Sequence, residues 1–300
     1  MPKREKYLFV IAGPTAVGKT KVALEIANHF GAPIISADSR QIYKELAIGT
    51  AKPTQHEIES GPIHLVNHVS VTEDYSAGRF EREAIEKINE MHSQSDIAVL
   101  SGGTGLYIDA VLFGLDDFPE VGKEVLITLE NELANDGPDA LKAELQEKDP
   151  DYFDIVDPNN SRRVLRALSV IRQTGKTFSS FRRDKPKTRP FKTMAVILER
   201  PRERLYERIN QRVDDMIANG LIEEVQGLKK YENLKALQTV GYQELFPYLD
   251  GQISLEEAVE EIKKYSRRYA KRQLTWLRRY KWPRFSPTDL DKIIRYFEQR

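Results

Sequence analysis

The spacing of hydrophobic positions changes along the chain and predicts two kinds of architecture. Up to about residue 115, short apolar runs alternate with segments whose apolar residues recur at helical spacing. The runs predict buried strands at residues 7–12, 33–38 and 97–100, with a further short strand at residues 64–69. Strands that alternate with helices form parallel sheets covered on both faces, so this stretch predicts an α/β fold.

The remaining pattern is mostly helical. From residue 119 to about 187 we expect helices without strands, and residues 161–174 show the clearest helical spacing. Residues 193–198 return to a strand pattern, which we assign to the same sheet. Everything after Pro201 is predicted to be helical. The last long helix, over residues 254–280, opens with the capping box formed by Ser254 and Glu257.

A phosphate-binding motif follows the first predicted strand. The pattern G-x-x-x-x-G-K-[ST] needs glycines so that backbone N–H groups can turn inward and, together with the next helix's dipole, bind anionic oxygens. Lys19 adds a mobile positive charge, and the Thr20 hydroxyl is a candidate Mg2+ ligand. A plain glycine turn is the alternative, but strand, loop, Lys-Thr pair and helix occur together, so we predict a polyphosphate site. Its residues are Gly13, Pro14, Thr15, Ala16, Val17, Gly18, Lys19 and Thr20.

These observations predict a domain organisation. We expect an α/β fold with a P-loop NTPase-like parallel sheet flanked by helices, built from residues 1–118 and 191–300. A helical insertion domain covers residues 119–190, and the C-terminal region is helical.

Composition indicates where in the cell the protein is expected to work. The chain has 300 residues, no cysteine and no apolar run of membrane-spanning length. Residues 1–6 lead directly into the first strand, which argues against a signal peptide. We therefore expect a cytoplasmic protein with no membrane partner, and nothing in the pattern requires more than a monomer.

The net charge of zero conceals strong local charge. Residues 116–157 carry 14 acidic and 3 basic side chains, whereas residues 161–192 carry 11 basic side chains and one acidic residue, Asp184. Residues 263–284 carry 10 basic side chains and no acidic one. A solvated surface explains any single run, but two basic blocks favour a polyanionic partner such as RNA.

Ligands of parallel sheets bind beyond the carboxyl ends of the strands, which directs attention to two further residues. Asp38 ends the second strand and is a candidate general base or a ligand of Mg2+ through water; a cap or turn role is the alternative. Thr104 lies in a second glycine-rich turn and is a candidate ligand of a phosphate or a substrate amino group; a tight turn is the alternative.

Several cationic residues are candidates for anion binding. Arg212 shares a helix face with Arg204 and Arg208, for which we favour a role as solvated surface charges. A second helix carries Arg162, Arg163 and Arg166.

A third candidate group lies on the last long helix. Arg272, Gln273 and Trp276 suit phosphate contact and base stacking, with core packing as the alternative for Trp276. The histidines show no metal-binding spacing, so we assign them no metal.

At these residues the sequence resembles the tRNA dimethylallyltransferases, also called tRNA isopentenyltransferases. Ser169 departs from the glutamate usual at its position, and residues 45–47 depart from the usual acidic, methionine-containing run. The lack of a zinc-finger tail is typical of bacterial members. The matching stretches are residues 13–20, 38–43, 48–53, 102–107, 160–168, 241–242 and 271–276.

The resemblance implies transfer of a dimethylallyl group from dimethylallyl diphosphate to N6 of adenosine 37 in tRNA. Asp38 would accept the proton, Thr104 would contact the target base, and Arg212, with Lys19 and Mg2+ on Thr20, would neutralise the departing diphosphate. The target base would have to leave the anticodon loop. The residues implied in tRNA binding are Asp38, Ser39, Arg40, Gln41, Thr104, Arg162, Arg163, Val164, Leu165, Arg166, Arg272, Gln273 and Trp276.

Three alternatives share the phosphate loop. A nucleotide kinase would use ATP, but it has no need for two basic blocks. An isopentenyltransferase acting on free AMP or ADP would share the core without an extended basic surface. An RNA-binding NTPase would hydrolyse ATP or GTP and would not consume a prenyl diphosphate.

Overall fold

The computed structural model describes residues 5–183 and 185–300. Met1–Arg4, on which the expectation about a signal peptide partly rests, and Asp184 of the basic block lie outside the described residues. Contact between residues divides the chain into two compact units. The core unit comprises the described residues up to Phe113 together with Thr188–Arg300, and the helical unit comprises the described part of Gly114–Lys187.

The core unit contains one parallel sheet, as the strand pattern predicts. Its strand order is β3-β2-β4-β1-β5-β6, with β1 at the centre, where Tyr7 is in register with Ile97 of β4 and Lys192 of β5. Residues of β1 are buried on both faces, which explains its continuous apolar run. The strands are β1 (Tyr7–Ala12), β2 (Ile34–Ala37), β3 (Ile63–His64), β4 (Ile97–Gly102), β5 (Lys192–Leu198) and β6 (Arg284–Phe285).

Helices cover both faces of this sheet and make up the helical unit. In the core unit they are α1 (Lys19–Phe30), α2 (Gln55–Ser60), α3 (Ala77–Gln94), α4 (Gly105–Phe113), α9 (Arg202–Ala218), α10 (Leu221–Gly227), α11 (Phe246–Leu249), α12 (Leu255–Leu277) and α13 (Leu290–Glu298). In the helical unit they are α5 (Lys123–Asp136), α6 (Asp139–Lys148), α7 (Pro150–Phe153) and α8 (Ser161–Thr174), packed around a core that includes Leu129, Leu145 and Leu168.

The structure corrects three sequence expectations. Strand β6 interrupts the region predicted to be wholly helical. It pairs with β5, where the Ile197 N–H donates to the Pro283 carbonyl oxygen at 2.9 Å. A strand of two residues is too short to show a periodic sequence pattern. The strand predicted at residues 64–69 stops at His64, because the φ of Leu65 is +60°, outside the extended range. The long last helix, α12, begins with the predicted capping box but ends at Leu277.

The unit boundaries fall a few residues before the predicted domain boundaries, at 113/114 and 187/188. Among the described residues, no helix has the length and apolar character needed to cross a bilayer.

Candidate active site

The phosphate-loop sequence forms a tight turn between β1 and α1. Gly18 has a φ of +110°, and Ala16 has a φ of +61°, which is a costly conformation for a residue with a side chain. A Cβ added to Gly13 would lie 2.9 Å from the carbonyl oxygen of Leu198. The glycines are therefore required by backbone conformation at one position and by close packing at the other.

Three cationic side chains hold the carbonyl groups of this loop. Lys19 Nζ donates to the Pro14 oxygen at 2.8 Å, Arg208 Nε to the Ala16 oxygen at 3.0 Å, and Arg200 Nε to the Val17 oxygen at 2.9 Å. Carbonyl oxygens bound in this way do not repel an anion, and the positive charges remain close to the loop.

Two of these observations bear on the sequence predictions. Arg208 is exposed, as predicted for a surface charge, but α9 also brings its guanidinium to the loop, 192 residues away in sequence. Arg204, one turn earlier, is exposed and paired with Glu207, as expected of a surface charge. Arg200 was not singled out, since its position directly after β5 gives no motif signal.

Arg212 brings a further charge to the loop from the inner face of α9. Its guanidinium donates to Thr15 Oγ1 and to the Thr50 carbonyl oxygen, each at 3.3 Å. Burial lowers the pKa of Arg212, while nearby Asp38 acts in the opposite direction. Burial also lowers the pKa of Lys19 to about 8, opposed by Asp38 and reinforced by Arg212. Partly desolvated cations in this arrangement favour an incoming anion.

Asp38 lies just after β2, at the carboxyl edge of the sheet. Its Oδ1 accepts from the N–H groups of Arg40 at 2.9 Å and Gln41 at 3.3 Å, so the predicted turn role is real for that oxygen. The residue also lines the cavity next to the phosphate loop. The turn therefore orients the carboxylate and is compatible with a role in chemistry.

The second glycine-rich turn is tied to the residues around Asp38. Thr104 donates its backbone N–H to the Ala37 oxygen at 3.1 Å, and its Oγ1 accepts from the Ser39 N–H at 3.0 Å. A Cβ on Gly102 would lie 2.2 Å from the Ala37 oxygen, so β2 and β4 meet here backbone to backbone. Thr104 therefore takes the predicted tight-turn role and also lies beside the turn that contains Asp38.

Helix α12 contributes Tyr269, which the sequence analysis missed. Its side chain lines the same cavity. Burial raises the pKa of its hydroxyl to about 12, with Asp38 reinforcing the shift and a hydrogen bond with Thr104 opposing it. The available signal was its position one helical turn before Gln273.

Gln273 and Trp276 occupy positions that differ from the prediction of RNA contact. Gln273 is buried, and both ends of its amide bind protein backbone: Oε1 accepts from the Thr15 N–H at 2.8 Å, and Nε2 donates to the Gly103 oxygen at 2.9 Å. The half-buried Trp276 ring packs closely on Gly105, because a Cβ added to Gly105 would lie 2.2 Å from the ring. This position agrees with the core-packing alternative for Trp276. Arg272 is exposed, as a phosphate contact requires.

The predicted pocket residues near Asp38 also brace a neighbouring loop. Gln41 Nε2 donates to the carbonyl oxygens of Thr50 and Ala51, at 3.3 Å and 3.1 Å. Arg40 is half-buried and donates to the Lys235 oxygen at 3.3 Å, and Ser39 lines the cavity.

A glutamate that the sequence analysis missed organises the same loop from α10. The Glu224 carboxylate accepts from the N–H groups of residues 47–49 at 2.8–3.2 Å and from the Tyr242 hydroxyl at 2.6 Å. No local pattern reveals this role, because Glu224 lies 175 residues from Gly49.

These groups surround a cavity of about 690 Å³, within the range of small-ligand sites. Its lining includes charged and polar residues, among them Lys19, Thr20, Asp38 and Arg212, and apolar residues such as Val213 and Met216. The cavity thus suits a ligand with an anionic group and an apolar group.

Helix α8 of the helical unit carries the three predicted arginines. Arg162 and Arg163 are exposed in the first turn of α8, where the helix dipole disfavours cations, so folding alone does not explain them. The Arg166 guanidinium lies 5.5 Å from the Phe118 ring centroid. The prediction that Val164 contacts tRNA is wrong, because it is 3% exposed and belongs to the helical core, against which Leu165 also packs.

Comparison with known proteins identifies the family. The model of the family described as IPP transferase matches residues 41–280. The chain belongs to the IPP transferase family. The matched range includes Thr104, Arg212 and Gln273, and it begins after the phosphate loop and Asp38.

Relatives of this family are similar over almost the whole chain. The tRNA dimethylallyltransferase of Christiangramia forsetii is 47% identical over 98% of each chain, and tRNA dimethylallyltransferase 1 of Bacteroides thetaiotaomicron is 44% identical over 96% of this chain and 94% of its own.

Solved structures of the family agree with the fold. The tRNA isopentenylpyrophosphate transferase of Bacillus halodurans has a TM-score of 0.71 and 36% identity, covering 99% of this chain and 96% of its own. A eukaryotic dimethylallyltransferase solved acting on tRNA has a TM-score of 0.82 and 31% identity, covering 98% of this chain and 77% of its own. These likenesses bear out the predicted α/β, P-loop NTPase-like class.

Proposed function

We propose that this enzyme transfers the dimethylallyl group of dimethylallyl diphosphate to N6 of adenosine 37 in tRNA, releasing diphosphate. One observation carries the proposal: a single cavity is lined by residues of the phosphate loop, by cationic side chains, by a carboxylate and by apolar residues. The names of relatives that are 47% and 44% identical over nearly the whole chain support the same activity.

The transfer joins two substrates by a displacement at carbon. The N6 lone pair forms a bond to C1 of the dimethylallyl group, the bond between C1 and the diphosphate oxygen breaks, and its electron pair leaves with the diphosphate. The N6 proton passes to the carboxylate of Asp38, whose turn with Arg40 and Gln41 orients it. Because an exocyclic adenine amine is a weak nucleophile, positioning is as important as basicity.

The leaving diphosphate gains negative charge as the bond breaks. Lys19 and Arg212 both line the cavity, and Arg212 is held by hydrogen bonds to Thr15 and Thr50. Charges that are already in place stabilise the developing anion without reorganisation. The apolar residues Val213, next to Arg212 in α9, and Met216, one helical turn beyond it, suit the dimethylallyl group.

Mg2+ fits this site as a partner of the diphosphate. The Thr20 hydroxyl lines the cavity, while the described residues contain no cluster of three or more acidic or histidine side chains able to hold a metal alone. This donor set suits Mg2+, which commonly binds through few protein ligands together with substrate phosphates. Thr20 would hold the ion and Asp38 would bind its water shell; when bound, Mg2+ neutralises phosphate charge.

The acceptor is a tRNA anticodon stem-loop in this proposal. The exposed Arg162 and Arg163 of the helical unit and the exposed basic face of α12, including Arg272, supply charges for the phosphate backbone. Thr104 contacts the flipped base, and Ser39–Gln41 line its pocket. The enzyme acts as a monomer in the cytoplasm, where its substrate is found.

The direct test is incorporation of label from dimethylallyl diphosphate with Mg2+ into three acceptors: an anticodon stem-loop with adenosine at position 37, the same stem-loop with guanosine there, and free AMP. We expect labelling of the adenosine stem-loop alone. Labelling of AMP would favour a free-nucleotide enzyme. Hydrolysis of ATP with no labelled acceptor would mean that the loop binds a different polyphosphate.

A further inference from the structure

We infer that Gln273 is a positioning residue that fixes the spacing between the phosphate loop and the second glycine-rich turn, residues 102–105. The inference rests on the proposed function in one respect: it assigns the first turn to the diphosphate and the second to the acceptor base. Gln273 itself contacts neither substrate in this account.

The amide of Gln273 joins the two turns directly. Its Oε1 lies 2.8 Å from the Thr15 nitrogen, and its Nε2 lies 2.9 Å from the Gly103 oxygen. The side chain is 7% exposed. A planar amide carries a donor and an acceptor at a fixed separation, so the side chain acts as a rigid spacer. Both partners are backbone atoms, and Gln273 is 258 residues from Thr15 and 170 from Gly103.

The atoms around this amide are closely packed. A Cβ added to Gly103 would lie 2.3 Å from Gln273 Nε2 and 3.0 Å from the Gly13 oxygen. The neighbouring side chains on the same face of α12 contact the second turn: Tyr269 interacts with Thr104, and Trp276 packs on Gly105. Gln273 is the member of this set that also reaches the phosphate loop.

A chain of contacts carries the spacing to the reacting groups. Gly103 precedes Thr104, whose Oγ1 accepts from the Ser39 N–H at 3.0 Å, and Ser39 follows Asp38. The phosphate loop holds the leaving group at the other end of the chain. Displacement requires the nucleophile and the reacting carbon to be about 3–3.5 Å apart, so a small shift between the turns slows the reaction strongly.

The test compares two variants that differ in length and chemistry. Gln273→Asn keeps the amide but is one methylene shorter, so it cannot span both turns. Gln273→Met keeps the length but lacks the amide. We expect both to lower kcat by about 10- to 100-fold at saturating substrates. We also expect the Kd for inorganic pyrophosphate to rise about threefold, as for a lost hydrogen bond of modest strength, with stem-loop affinity unchanged.

The matched control is Gln94→Met at the exposed carboxyl end of α3, which should leave all three quantities as in the wild type. Near-normal kcat in Gln273→Asn would overturn the spacer role, because the amide would then suffice without its span. Loss of stem-loop affinity with normal kcat at saturation would also overturn it, in favour of an RNA contact.

Two further arms keep the inference testable. If Gln273→Met unfolds, Gly103→Ala displaces the same amide from the opposite side and should reproduce the loss of kcat; normal kcat in that variant would contradict us. If the wild type labels no RNA, the proposed function fails independently. The pyrophosphate measurements still judge the bridge, because unchanged pyrophosphate affinity in both Gln273 variants would exclude it.

Discussion

Arg212 of the core unit and the arginine pair at the start of α8 in the helical unit have opposite surroundings. In the core unit, Arg212 is held by Thr15 and Thr50, and burial lowers its pKa. In the helical unit, Arg162 and Arg163 extend from the first turn of α8 into solvent. A small anion in a cavity is best stabilised by charges that are already fixed, whereas a nucleic acid backbone is bound by exposed charges that displace counterions. The difference predicts that the fixed Arg212 governs turnover, whereas the exposed Arg162 and Arg163 contribute to RNA affinity.

The largest effect should come from the carboxylate of the core unit. Asp38→Ala and Asp38→Asn should each lower kcat by about 100- to 10,000-fold, because neither variant can accept the amine proton. Asp38→Asn is the sharper variant, since its amide oxygen can still accept from the Arg40 and Gln41 N–H groups and preserve the turn. Single-turnover kinetics would measure the rate of transfer, and stem-loop binding would measure RNA affinity. Weak RNA binding with normal turnover in Asp38→Asn would contradict the base assignment.

A somewhat smaller loss should follow removal of the fixed arginine. Arg212→Gln should reduce kcat by about 100- to 1,000-fold, as expected when a preorganised donor to a developing anion is lost. The matched control is Arg204→Gln on the same helix, because Arg204 is exposed and pairs only locally with Glu207. Steady-state kinetics of both variants would decide. Equal losses would mean that total charge, and not the fixed position of Arg212, determines the rate.

In the helical unit, changes should affect binding instead. Replacing Arg162, Arg163 and Arg166 with glutamine should weaken stem-loop binding by about tenfold or more at moderate salt. It should also flatten the salt dependence, because binding through fewer phosphate contacts releases fewer counterions. At saturating RNA, kcat should be nearly normal. The triple lysine variant keeps the charges and should retain the salt slope. A slope unchanged in the glutamine variant would exclude these arginines from phosphate contact.

The smallest effect should be a pH dependence in the core unit. Burial lowers the pKa of Lys19 to about 8, so the free loop loses this positive charge as pH rises through 8. Pyrophosphate affinity should therefore fall above pH 8, by at most about tenfold per pH unit for one proton. Lys19→Arg stays charged and should remove this step.

Lys52, whose pKa burial also lowers to about 8, provides the control for that step. It binds the Tyr43 oxygen and Asn67, so Lys52→Arg tests whether the step belongs to a different lysine. If the fall in pyrophosphate affinity above pH 8 persists in Lys19→Arg and disappears in Lys52→Arg, it belongs to Lys52.

Much of the fold and of the site follows from local patterns. The apolar runs predicted the buried strands, and the motif at residues 13–20 predicted the loop at the end of β1, because hydrophobic spacing and turn chemistry act over short stretches of chain. Asp38 and Thr104 were predictable as neighbours, since parallel strands bring their carboxyl ends to the same edge of a sheet. The roles of Arg162 and Arg163 remain predictions that their exposure supports.

The tertiary structure alone decided which distant side chains complete the site. Gln273 reaches the phosphate loop across 258 residues, Arg208 across 192, and Glu224 holds the loop at Gly49 across 175. The sequence shows Arg208 and Glu224 only as charged residues suited to a solvated surface, and it suggests an RNA contact for Gln273 in place of the backbone contacts that the structure shows. The packing of α9, α10 and α12 brings their side chains to backbone groups of the loops around the cavity. A buried hydrogen bond depends on the relative positions of two elements, and no local pattern encodes those positions.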